Sequence, residues 1–132
     1  MRRLENLKGF MMNLLLRYKQ VRTKQLLDKL EKRVNEIREP VEVLSEDERR
    51  RIDDLTIAYR KKIRKLWWFE YLKIRDEVTE RATLEGYMIN GHSSRKGACF
   101  GIWNIERQVM KETYGAVWFT ECDIAPSGTR FD

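Results

Sequence analysis

His92 is the only histidine in the chain, and Ser93, Ser94 and Cys99 follow it closely. An imidazole beside a hydroxyl or thiol is the start of a nucleophilic site. Closeness in sequence, however, does not place the groups of a catalytic triad. With Cys99, Cys122, Glu121 and Asp123, His92 could instead join a mixed metal site. The spacing matches no paired-ligand pattern such as two CxxC pairs, so no metal or other cofactor is expected and His92 reads as an exposed loop residue. Glu70 is a third candidate, because it interrupts an apolar helix face between Trp67 and Ile74. A carboxylate there could be perturbed for acid–base work. No second catalytic group accompanies it, and an ion pair with an Arg or Lys of the first helix is the expected state. An enzyme would rest on Glu70, His92 and Cys99 alone, so the chain reads as non-enzymatic.

Residues with binding chemistry are denser. Arg60 to Arg75 reads RKKIRKLWWFEYLKIR, in which seven of sixteen residues are basic and Trp67, Trp68, Phe69 and Tyr71 are interleaved with them. At 100° per residue this helix has two faces. Ile52, Leu55, Tyr59, Ile63, Leu66, Trp67 and Ile74 make a core face. Ile57, Arg60, Lys61, Arg64, Trp68, Tyr71, Leu72 and Arg75 collect on a second, about 130–150° away. Cations there can neutralise phosphates while Trp68 and Tyr71 stack on bases. The competing expectation is that Trp68 and Tyr71 pack under the C-terminal third with the basic side chains snorkelling past them.

Gly91-His92-Ser93-Ser94-Arg95-Lys96-Gly97 is glycine-bounded and basic but lacks the GxxxxGK[ST] order of a phosphate loop. Arg95 and Lys96 remain candidate contacts to a phosphate at the start of a following helix.

Two long helices must position these residues. Leu4, Leu7, Met11, Leu14, Tyr18 and Val21 recur at alternating steps of three and four, a heptad-like seam. Leu27, Leu30, Val34 and Ile37 continue it after a six-residue step, so the stripe moves around the helix near Arg22–Gln25. Pro40 ends this helix. Ser45-Glu46-Asp47-Glu48 matches a capping box opening a second helix that runs to about residue 82. Arms of residues 2–37 and 46–82, each about 54 Å long, predict a mainly α protein built on a long antiparallel helical hairpin.

Six of the seven glycines lie from Gly86 onward, so 1–85 reads as the hairpin and 86–132 as a small cap and tail within one domain. Residues 86–97 read as a loop. Residues 98–114 predict a short helix with Ile102, Trp103, Val109 and Met110 inward, closed by Gly115. Ala116–Thr120 has strand composition but would need a pairing partner, and the stretch after Cys122 reads as irregular.

Charge narrows the partner. The net charge is +6, with 36% charged residues. It alternates in blocks: +6 over 1–36, −3 over 37–58, +6 over 59–75 and −3 over 76–85. Opposite blocks on neighbouring helices can pair, and the basic excess favours nucleic acid, anionic lipid or an acidic protein surface. No apolar run reaches the roughly 18–20 residues of a transmembrane helix. No secretory signal is evident, and two cysteines make no disulfide framework, so an intracellular, reducing and cytoplasmic setting is expected.

The first helix carries Phe10-Met11-Met12-Asn13-Leu14-Leu15-Leu16 among Arg2, Arg3, Lys8, Arg17 and Lys19. That is also the composition of a helix lying on a membrane surface, although a hairpin or dimer seam is the preferred reading. The expected function is therefore a binding or assembly protein whose basic-aromatic helical surface contacts nucleic acid or an acidic partner. The alternative is an oligomeric scaffold subunit that uses the same aromatics as a protein interface.

Overall fold

A computed structural model describes residues 2–124, excluding the side chains of residues 2–5, 121 and 122. The tail from residue 125, with Pro126 and Gly128, lies outside the described residues. The protein is mainly α. Helix α1 spans Arg2–Arg38, α2 Glu46–Leu66, α3 Trp68–Leu84, α4 Ala98–Tyr114 and the single turn α5 Glu121–Ile124.

The hairpin forms as the periodicity predicts, but only along part of α1. Leu26, Leu30, Val34 and Ile37 are buried against Ile52, Tyr59 and Ile63 of α2. The entry to α2 is the expected capping box. Ser45 Oγ accepts from the Glu48 amide at 3.2 Å, and the Glu48 carboxylate accepts from the Ser45 amide at 2.9 Å. These bonds hold the Glu48 carboxyl below its usual range. Ser45→Ala removes one of them and should lower stability by about 1 kcal/mol, read as a shifted urea midpoint at unchanged slope.

The second arm is not one helix to residue 82. It is interrupted at Trp67, whose backbone (φ −103°, ψ 9°) leaves helical geometry for one residue. The cause lies in the side chain, which is held from two sides. Its indole N–H donates to Thr23 Oγ1 at 2.8 Å, and its ring meets Trp118 edge-on at 6.2 Å. Beyond this point α3 leaves α1 and packs on α4. Ile74, Val78 and Ala82 are buried with Ile105, Val109 and Met110 in the resulting second layer. Arg81 ties the two helices at their edge, donating to Glu112 at 2.7 Å and to Glu77 at 2.8 Å.

The C-terminal third departs from expectation: residues 123–124, read as irregular, belong to α5, and the strand and loop readings exchange places. Ala116–Thr120 forms no strand, and the strands lie instead in the segment read as a loop. Strand β1 (Met88–Ile89) pairs antiparallel with β2 (His92–Ser93) around Asn90-Gly91. Both turn residues have positive φ, 53° and 79°. This is the geometry that Asn-Gly favours in tight hairpins, because it matches the twist of the flanking strands. The hairpin seats Tyr87 against Gly101 of α4, where an added Cβ would lie 2.5 Å from the tyrosine ring.

Candidate nucleic-acid interface

The basic-aromatic stretch straddles the interruption at Trp67, and the interruption sorts its residues into a buried joint and an exposed face. Trp67 is 1% exposed and belongs to the joint. Glu70 is also there: it is buried and accepts from Lys19 Nζ of α1. This is the partner expected from the opposing helix. Its second oxygen, Oε2, has no hydrogen-bond partner among the described residues. Burial pushes the Tyr114 phenol upward, and the Glu70 charge adds to that shift.

Trp118 completes the joint. Arg64 lies over its ring at 4.4 Å from the centroid. Tyr71 stacks on it with centroids 5.7 Å apart and planes 14° from parallel. The cap thus packs on Tyr71 and engages Arg64, leaving both half-buried; of the two aromatics in the packing alternative it takes Tyr71 but not Trp68. Trp118 was read only as strand composition. Its role depends on a cation and two aromatics from distant positions, which no local pattern reports.

Trp68 is left outside this arrangement. It is 56% exposed and Phe69 is 60% exposed, and Ile57 and Leu72 are also solvent-facing. Lys73 lies over the Phe69 ring at 4.2 Å. Lys61, Lys62, Lys65 and Arg75 are exposed along the same stretch, while Arg60 is half-buried. Between Asp54 and Asp76 the only acidic residue is Glu70, and it is buried against Lys19. The solvent-facing charge of this stretch is thus wholly positive. Arg95 and Lys96 lie elsewhere, in the turn before α4. Arg95 sits over the Tyr87 ring at 5.7 Å. Ser94 closes that turn by donating to the Gly86 carbonyl at 2.6 Å. The turn belongs to the packing of the hairpin and α4.

No protein-family model, curated protein or solved structure matches this chain. Its chemistry must be read from its own residues.

The catalytic candidates lie in three different elements, Glu70 in α3, His92 in β2 and Cys99 in α4. His92 is exposed in β2, and Cys99 is half-buried at the start of α4. Among the described residues, no group of three or more His, Cys, Asp and Glu side chains is placed to hold a metal ion. Asp123 is engaged otherwise. Burial works against its ionisation, but hydrogen bonds from Arg107 and Thr120 outweigh that and keep its carboxyl below the usual range. Arg107 thereby clamps α5 to α4. Beside this clamp a groove of about 630 Å³ opens between α1 and the 117–124 segment, lined by Leu27, Val34, Val117 and Phe119. Glu31, Asn35, Arg38, Arg107 and Asp123 also line it.

Proposed function

We propose that this is a non-enzymatic binding protein whose α2–α3 face takes up single-stranded nucleic acid. The observation that carries this reading is the wholly cationic solvent-facing charge of residues 55–75 around two exposed aromatic rings. Lys61, Lys65, Lys73 and Arg75 would neutralise phosphates. Trp68 and Phe69 would offer stacking platforms to unpaired bases, which tolerate any sequence. Arg60 contributes charge from the rim. Arg64 and Tyr71 act through Trp118 by holding the face in shape, and Arg95 and Lys96 form a separate basic turn that a longer strand could reach.

The test is fluorescence anisotropy with a labelled generic oligonucleotide across a salt series. With about four phosphates neutralised, log Kd should change with log salt at a slope of roughly 3, close to 0.7 per contact for single strands. Lys61→Ala with Arg75→Ala should reduce that slope by about 1.4. Trp68→Ala should weaken binding by about 1–3 kcal/mol without changing the slope. A flat salt response overturns the reading.

A second reading is favoured by the apolar members of the same face. Ile57, Trp68, Phe69 and Leu72 are the kind of residues that fill the centre of a protein interface. A protein partner with an acidic rim would then cover them. In that case the purified protein carries no nucleic acid by its 260/280 nm absorbance ratio, and Trp68→Ala disrupts a complex detected by its mass in solution.

A further inference from the structure

The N-terminal half of α1 stands clear of the hairpin. Leu7, Phe10, Met11, Met12, Leu14, Leu15, Tyr18 and Val21 are between 49% and 61% exposed. Turned at 100° per residue, all of these except Met12 fall within an arc of about 140°. That arc points about 130° away from the line through Lys19, Thr23, Leu26, Leu30 and Val34, the side that packs on α2 and α3. The six-residue step near Arg22–Gln25 is where one stripe replaces the other. Helix α1 therefore carries two apolar faces in succession, and α2 covers only the second.

Charge selects what covers the first. No acidic residue occurs between Glu5 and Asp28, while Lys8, Arg17, Lys19, Arg22 and Lys24 fall in that interval. Lys19 is committed to Glu70. On the wheel Lys8 borders one edge of the apolar arc, and Arg17 with Lys24 borders the other; all three are exposed. The back of the helix carries Asn6, Asn13 and Gln20. A second copy of α1 would set one basic-edged arc against another with no acidic residue between Glu5 and Asp28 to pair with the cations. A lipid surface with anionic headgroups receives the apolar arc between Lys8 on one edge and Arg17 with Lys24 on the other, whose stems snorkel to the headgroups. No described helix is long and apolar enough to cross a membrane, so the fitting geometry lies in the plane of the surface.

We propose that residues 7–21 of α1 form an interfacial helix that docks the protein on an anionic lipid surface. It is a second binding surface, independent of the α2–α3 face. The full chain should co-sediment with phosphatidylcholine vesicles containing phosphatidylserine about a hundredfold more strongly than with phosphatidylcholine alone. Met11→Glu with Leu14→Glu should abolish sedimentation while leaving the helical circular dichroism and its thermal midpoint unchanged, because both side chains face solvent. Lys8→Gln with Arg17→Gln, which keeps the apolar arc, should weaken binding about thirtyfold and only to the anionic vesicles. Lys61→Ala with Arg75→Ala should sediment like the parent. Vesicle binding lost in that last variant, or equal binding to both lipids, overturns the assignment. So does a protein that stays in the supernatant as a dimer that Met11→Glu with Leu14→Glu dissociates, or one that stays there as a monomer.

Discussion

Trp67→Ala should lower the stability of this protein by about 3–5 kcal/mol, the cost typical of truncating a fully buried tryptophan. At this chain length that corresponds to a fall in Tm of more than about 10 °C. The size of the effect comes from what the indole joins. Its N–H donates to Thr23 Oγ1, and the Thr23 hydroxyl donates in turn to the Lys19 carbonyl at 2.7 Å. Its ring fills the space between α1 and Trp118. Removing it opens a cavity shared by α1, the α2–α3 junction and the cap, where no one element can relax into the gap alone. The adjacent Trp68→Ala is the control. Its side chain is mostly solvated, and its loss should change stability by no more than about 0.5 kcal/mol. Differential scanning calorimetry on the two variants separates neighbours that composition treats as equivalent. Equal destabilisation by both would contradict the division between joint and face.

Glu70→Ala is expected to cost a further large amount, about 3–5 kcal/mol, because it strands the Lys19 ammonium in a buried position without its counter-charge. The instructive variant is the double one. Replacing Lys19 with Met and Glu70 with Leu removes both charges and supplies apolar volume, and buried ion pairs exchanged this way are often neutral in stability. Most of the loss should therefore be recovered, as read from urea midpoints across a double-mutant cycle. Recovery would identify the pair as a device that fixes how α1 meets α3 rather than as a net source of stability. A double variant as unstable as Glu70→Ala would show instead that the pair itself stabilises the fold.

What was legible in the sequence followed from periodicity and from punctuation. The three-and-four spacing located α1, the Ser45–Glu48 box located the start of α2, and Gly115 located the end of α4. Each is a local pattern with a local physical cause. The division of RKKIRKLWWFEYLKIR at Trp67 was not legible, because helical periodicity continues almost in phase across a single non-helical residue. The backbone bonds do too, from the Trp67 amide to the Ile63 carbonyl and from the Tyr71 amide to the Trp67 carbonyl. The break is imposed by Thr23 and Trp118, which are far away in the chain. For the same reason Tyr71 and Arg64 were assigned to a contact surface. Their positions on the wheel do not report Trp118, which packs against both and leaves them half-buried. Asn90-Gly91, by contrast, was a readable hairpin signal passed over because the flanking strands are only two residues long. The unmatched half of α1 was half-visible. The step in its apolar stripe announced two faces, but equal arm lengths suggested that a straight second arm would cover both.

The interruption at Trp67 also bears on how the chain finds its fold. It divides the molecule into two antiparallel helix pairs, α1 with α2 and α3 with α4, each closed by a short connection at 39–45 or 85–97. Each pair can zip up from its own turn, the kind of sequence-local assembly that folds fastest. What remains is to bring the two pairs into register, and that rests on a few groups drawn from distant parts of the chain: Lys19 and Thr23, Trp67 and Glu70, and the ring of Trp118. The slow search in this molecule is thus confined to one latch.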